Sequence, residues 1–235
     1  MPAKYDIKRL NDEFSLKTPQ ELLEWGLKEF HPRIALAWSG AEDVAVLDMM
    51  VKINHEARIF TLDTGRLNTE TYDVIDEVCE KYDINVEVLF PDSADVEEMV
   101  LKKGVNLFYR SVQDRKLCCK TRKVKPLKRM LSMLDGWITG LRRDQAETRT
   151  VLNRIETDEI FGGIIKLNPL AGWTHQDVWD YIHENNVPYN KLHDNNYQSI
   201  GCAPCTRAVE EGEGIRSGRW WWETRAIKEC GLHVK

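Results

Sequence analysis

An α/β fold, with one mostly parallel central sheet flanked by helices, is what this sequence predicts, on three observations. Two short apolar runs, "RIALAW" at 33–38 and "ARIFTLD" at 57–63, each lead through a small polar turn into a helix-length stretch. A third, "INVEVLF" at 84–90, stops at Pro91. Strands that alternate with helices of this length form βαβ units, and such units build parallel sheets. Ligands on these sheets bind beyond the carboxyl ends of the strands. "SGAED" (39–43) and "DTGRL" (63–67) occupy such ends.

The elements follow in order. "TPQELLEWGLKEF" opens a helix: Thr18 caps it, Pro19 fits the first turn and Glu21 completes a capping box. "VAVLDMMVKI" (44–53) and a segment near 69–82 are the next helices. The basic middle, "RKLCCKTRKVKPLKRMLSML" (115–134), is helical, and "GWITG" (136–140) is a fourth strand with "LRRDQAETR" leaving its carboxyl end. "GIIKLNPL" (163–170) reads as a short edge strand, and "THQDVWDYIHENN" as a helix capped by Thr174. From about Val187 periodicity weakens, which predicts irregular structure. The division expected is one α/β domain over 1–215 and a mobile tail over 216–235.

The chain has 235 residues and is 42% hydrophobic, enough for one core. A net charge of −5 argues against nucleic-acid binding through a broad basic face. No apolar run approaches a membrane span. The opening "MPAKYDIKRLNDEF" is charged and lacks the apolar core of a secretory signal. The expected location is the cytoplasm, with no membrane and no nucleic-acid partner.

Six cysteines in that compartment point to metal binding or catalysis before disulfides. Cys79 shares a helical stripe with Ile75 and Tyr82 and reads as packing. Cys118-Cys119 and Cys202-x-x-Cys205 make a set of four soft thiols, suited to an iron–sulfur cluster or to zinc; spacing alone leaves both open, and the unliganded case too. From Arg115 to Arg129 eight residues are basic and none acidic, so cations bracket the first pair. Cys230 stands five residues from the C-terminus, an odd position for a buried structural thiol.

Several strand ends carry anion-binding chemistry. In Ser39, Gly40, Ala41, Glu42 and Asp43, small residues let backbone N–H groups approach an anion at a helix N-terminus. The loop resembles the SGGxDS pyrophosphate loop of the ATP-pyrophosphatase family, with Ala41 and Val44 as departures and two added carboxylates. It therefore suits a ligand with less charge than Mg–ATP. Leu62, Asp63, Thr64, Gly65 and Arg66 form a second turn. Arg142, Arg143 and Arg149 leave a third strand end, and Arg216 and Arg219 precede the tail. Arginine matches oxyanions with two parallel bonds. Trp220 to Trp222 read as packing.

Taken together, the double-cysteine motif, "SGAED", "LDTGR", "LRRDQAETR" and the terminal "KECGLH" resemble the iron–sulfur-containing assimilatory adenylylsulfate reductases of the 3′-phosphoadenylylsulfate (PAPS) reductase family, from about Glu21 to His233. The resemblance implies an adenine nucleotide α-hydrolase-like fold and one [4Fe–4S] cluster on Cys118, Cys119, Cys202 and Cys205. It implies Cys230 as the nucleophile, with Lys123, Arg216 and Arg219 beside the reacting groups. It places residues 39–43 at the phosphosulfate end of the substrate, residues 62–66 at the adenosine end, and Arg142 or Arg143 on the phosphosulfate. The reaction implied is thioredoxin-dependent reduction of adenylylsulfate (APS) to sulfite and AMP through a Cys230 S-sulfo intermediate. PAPS stands as the alternative substrate. Thioredoxin or a glutaredoxin-like protein is the reductant. His233 belongs to the motif without a role, and a homo-oligomer is left open.

Overall fold

The computed structural model describes residues 5–146 and 149–223. Four consecutive apolar residues make β1 (Ile34–Ala37), which is buried on both faces and sits mid-sheet. β2 (Arg58–Leu62) and β3 (Glu87–Leu89) lie on one side of it. β4 (Gly136–Ile138), β6 (Ile164–Leu167) and β5 (Ile155–Asp158) lie on the other, giving the order β3-β2-β1-β4-β6-β5. Every pair is parallel except β5 with β6. Leu36 pairs with Ile59 on one flank and Ile138 on the other.

The expected edge strand needs correcting. "GIIKLNPL" supplies β6, which has a neighbour on each side; the edge is β5, which the sequence reading passes over. β5 reads "IETD", and its polar content hides it. Glu156 faces Lys166 across the antiparallel pair, and both side chains are about nine-tenths buried.

Helices cover both faces. α2 (Pro19–Phe30) begins as expected: Glu21 N donates to Thr18 Oγ1 at 3.2 Å and Thr18 N donates to Glu21 Oε2 at 2.7 Å. α3 (Val44–Ile53) is buried over most of its length. With α1 (Ile7–Glu13), α4 (Thr69–Tyr82) and α8 (His175–Glu184), these helices enclose the larger core. Cys79 packs half-buried against that core, as expected. The other face is covered by α7 (Lys125–Leu131), whose Leu127, Met130 and Leu131 pack on Phe60, Trp137 and Phe161. α5 (Ser93–Lys103) packs against the turn that continues α6 (Val112–Cys119).

The strand order reverses at β1, since β2 continues to one side and β4 to the other. A crevice therefore forms between the carboxyl ends of β1 and β4. The loops after these two strands touch. A Cβ on Gly140 would stand 2.3 Å from Asp43 Cβ, so the contact requires glycine there. Among the described residues, no helix is long and apolar enough to cross a membrane.

Candidate active site

A cleft of about 210 Å³ opens at this crevice. Its floor is apolar, made by Phe60 and Leu62 of β2, Trp137 of β4 and Leu127 of α7. The rest of its wall includes Ser39, Glu42, Asp43, Lys123, Gln145, Arg149, Arg216 and Arg219. An apolar floor with four cations in the wall suits a flat aromatic group carrying an anionic tail.

The loop after β1 is held closed by its own carboxylate. Ser39 N and Ser39 Oγ donate to Asp43 at 2.7 and 2.9 Å, and Ala41 N donates at 3.1 Å. Gly40 has φ of 75°, a left-handed turn that favours glycine. Burial pushes the Asp43 carboxyl up to about 6, against the pull of those hydrogen bonds. Glu42 also faces the cleft, but both its oxygens are engaged. Arg142 Nη1 donates to Oε2 at 2.7 Å, and His175 Nδ1 lies 2.8 Å from Oε1. Burial would raise Glu42, yet the hydrogen bond from His175 and the charge of Arg142 prevail and hold it at about 2. Its charge is thereby offset before any anionic ligand arrives.

A second, smaller space adjoins the cleft. Cys118 and Cys119 end α6, and a π-helical turn over Lys120–Val124 follows directly. Such turns insert an extra residue into a helix and cluster at functional sites. Cys202 and Cys205 flank a tight turn held by Cys205 N donating to Cys202 O at 2.9 Å. All four cysteines line the same space, together with Arg66, Arg115, Arg122 and Lys123. Lys123 lines the cleft as well. Thr64 Oγ1 sits 3.3 Å from Cys202 Sγ, and Arg122 Nη1 donates to Thr64 O at 2.6 Å. Cys118 and Cys205 are buried, which pushes both thiols up, Cys205 to about 12.

The donor set fits a cluster. Four sulfurs, with no carboxylate or imidazole among the lining groups, form a soft set. Among the described residues no group of three or more Cys, His, Asp or Glu is gathered to hold a single metal ion. Such a set of four thiols suits an iron–sulfur cluster or zinc. Four flanking cations would offset the negative charge of four thiolates.

The fold and its cleft have counterparts in known proteins. The phosphoadenosine phosphosulfate reductase domain matches residues 33–208. The chain belongs to that family.

Its similarity extends to whole proteins. An adenosine 5′-phosphosulfate reductase of Pseudomonas aeruginosa (strain UCBPP-PA14) is 43% identical over 239 residues, covering all of this chain and 89% of its own. One from Burkholderia cepacia is 47% identical over 207 residues, covering 88% and 82%. The crystal structure of the phosphoadenylyl-sulfate reductase from Candida auris, a phosphate complex, superposes with a TM-score of 0.75 at 30% identity, over 89% of this chain and 98% of that one.

Within this reductase fold the expected site residues separate. Ser39, Ala41, Glu42, Asp43, Leu62, Lys123, Arg216 and Arg219 line the cleft, whereas Gly40, Asp63, Thr64, Gly65, Arg66, Arg142 and Arg143 are not among its lining residues. The second turn thus divides. Leu62 serves the cleft; Arg66 lines the cysteine space and Thr64 contacts Cys202. Arg66 donates to Val105 O and Asn106 Oδ1, both at 2.9 Å. Asp63 turns back on its own loop, accepting from Gly65 N and from the Tyr72 hydroxyl. Arg142 is fully buried on Glu42 and Asp144, and Arg143 Nε donates to Leu152 O at 2.8 Å. The arginine of that segment that reaches the cleft is Arg149. Sequence reasoning placed it at the right strand end but preferred the adjacent pair. The floor residues Phe60, Trp137 and Leu127 were missed, because apolar strand and helix positions carry no mark of a ligand. Cys230 and His233 lie outside the described residues.

Proposed function

We infer that this chain reduces adenylylsulfate to sulfite and AMP in sulfate assimilation. One observation carries the reading. Lys123 stands in the wall of both the nucleotide-sized cleft and the four-cysteine space, in a chain 43–47% identical to proteins named adenosine 5′-phosphosulfate reductase.

The apolar floor takes the adenine and the cationic wall takes the phosphosulfate. Cys230, as a thiolate, attacks the sulfuryl sulfur. A sulfur–sulfur bond forms, the bond from sulfur to the AMP phosphate oxygen breaks, and AMP leaves with that electron pair. The product on the chain is Cys–S–SO₃⁻, so one hard step is divided into two. Lys123, Arg149, Arg216 and Arg219 offset charge on the bridging oxygen as it develops. A dithiol reductant of the thioredoxin or glutaredoxin type then attacks Cys230 Sγ. Sulfite departs with the bonding pair, and the second thiol of the reductant resolves the mixed disulfide. Two electrons pass from the dithiol to the sulfuryl sulfur.

Cys118, Cys119, Cys202 and Cys205 are the residues that would hold one [4Fe–4S] cluster. When bound, it supplies a compact charged body that fixes the two cysteine segments beside Lys123.

The test uses reductant-free protein mixed with APS, then digested. A sulfonate on Cys230, detected by mass spectrometry and released as sulfite by thioredoxin, is the expected result. Sulfite and AMP formed at the normal rate by protein lacking its last several residues would overturn the reading. Parallel assays with APS and PAPS at equal concentration decide between the nucleotides.

A further inference from the structure

Three segments around the cleft meet at one buried side chain. Asn190 precedes a short 3₁₀ turn over Lys191–Asn195, on the segment that goes on to supply Gln198 and Gly201 to the cleft wall. It is 0% exposed. Its Oδ1 accepts from Leu192 N at 3.1 Å, which fixes the other end of the carboxamide as the donor. Nδ2 donates to Gly40 O at 3.0 Å and to Thr71 Oγ1 at 3.1 Å. Thr71 stands in the first turn of α4 and belongs to the cleft wall. The Gly40 turn also rests on it, since a Cβ on Gly40 would stand 2.8 Å from Thr71 Cγ2.

The bond to Gly40 sets the direction of a peptide. In a trans peptide the carbonyl and the following N–H point opposite ways. The Gly40–Ala41 unit has its carbonyl on Asn190 and its N–H on Asp43 Oδ1 at 3.1 Å. Ser39, Ala41 and Asp43 line the cleft, whereas Gly40 and Asn190 are not among its lining residues. The positive end of this dipole is therefore on the cleft side and its carbonyl is turned to the interior. Gly40 stands at φ of 75°, and glycine admits either orientation of the unit. Asp43 holds one end of it and Asn190 holds the other. Reversed, the unit would set a carbonyl oxygen against the Asp43 carboxylate and against any anion in the cleft.

We propose that Asn190 is a positioning residue for the anionic end of the nucleotide, locking the Gly40–Ala41 peptide with its N–H rather than its carbonyl turned to the cleft. The proposal rests on the reading above, in which the cleft wall takes the phosphosulfate. A buried asparagine can also be a plain fastener between segments. The two roles separate by ligand. Loss of a fastener loosens the whole wall, and every occupant of the cleft binds less well. Loss of a lock on one dipole is felt by an anion and not by a neutral nucleoside, because fixed dipoles act on charge. Two neutral substitutions remove the donor without adding charge. Asn190→Ala leaves room for a water that can donate to Gly40 O in its place. Asn190→Leu fills the space and leaves that carbonyl buried without a partner, which favours reversal of the peptide.

The test measures the dissociation constants of AMP and of adenosine by calorimetric titration. It uses cluster-loaded wild type, Asn190→Ala and Asn190→Leu, with circular dichroism to show that each is folded. Wild type is expected to bind AMP more than about ten-fold tighter than adenosine. Asn190→Ala should weaken AMP more than about three-fold and Asn190→Leu more than about ten-fold, with adenosine within about two-fold of wild type in both. Should Asn190→Leu fail to fold, Asn190→Ala decides alone. AMP affinity within about two-fold of wild type in a folded variant would overturn the lock. So would AMP and adenosine weakened by the same factor, which would make Asn190 a fastener. Wild type binding adenosine as tightly as AMP would instead sink the reading of the cleft wall as an anion site, and the lock with it.

Discussion

A carboxylate in the wall of an anion site repels its ligand unless its charge is met locally, and Glu42 meets this through Arg142 and His175. Arg142 and Arg149 therefore have different work although they lie on one loop. Replacing Arg142 by Met leaves the buried Glu42 facing an apolar group. The expected cost is about 3–5 kcal/mol, read as a lower urea midpoint. Arg149→Ala removes a half-buried cation of the cleft wall. It should change stability by less than about 0.5 kcal/mol while raising KM for the nucleotide about ten-fold or more. Asp43 gives a second check. Its folded value of about 6 lies above the ordinary 3.8, so the protonated form favours the fold. That contribution is complete below about pH 4 and is lost as pH rises through about 6. Glu42, at about 2, has the opposite sign and is flat above its ordinary 4.5. Between pH 4 and 7 the stability of wild type minus that of Asp43→Asn should fall by about 2 kcal/mol. Urea melts at four pH values measure that slope; a flat difference contradicts the buried-acid account.

Elements decide where these residues meet. The loops after β1 and β4 touch only because Gly140 has no Cβ. An added methyl would stand 2.3 Å from Asp43 Cβ and 3.0 Å from its Cα, and the Cα cannot swing aside as a side chain could. Gly140→Ala should cost about 1–3 kcal/mol and weaken AMP binding about ten-fold, as read by thermal melts and calorimetric titration. The sequence shows the strands and their turns, and so the crevice, because apolar runs and glycine turns are local signals. It does not show β5, whose "IETD" is held by tertiary pairing with β6 rather than by a hydrophobic pattern. It does not show which of Arg142, Arg143 and Arg149 lines the cleft, since that depends on the path of a non-repetitive loop. It shows the four cysteines as a set but not that Thr64 and Arg66 face them, because a tight turn sends consecutive side chains to different spaces.

At the scale of the whole molecule the two cysteine pairs lie more than eighty residues apart, one on a helix that runs into α7 and one in the irregular region after α8. The segment from Cys202 to Glu223 pairs with none of the six strands, and its ties run to the 64–66 turn, to Tyr109 and α6, to residues 196–200 and within itself. Ala203 N donates to Arg66 O at 2.8 Å, and the Thr206–Arg219 bridge carries the fold onward to the cleft wall. A body bonded to all four cysteines would therefore join the least regular part of the chain to the most regular. Closing a loop of this length removes about 4–5 kcal/mol of unfolded-state entropy on the chain-entropy account. Anaerobic chelation of the iron is accordingly expected to lower the melting temperature by about 8–20 °C, at about 2–4 °C per kcal/mol for a chain of this size. The strands should persist, because the cores around β1 and β4 involve none of the four cysteines. Far-ultraviolet circular dichroism should stay near that of the loaded protein while Arg219, held by that loop, loses its place and AMP binding weakens. Equal melting temperatures and equal AMP affinity with and without iron would show that protein contacts alone fix the segment, and would leave the cluster without its structural task.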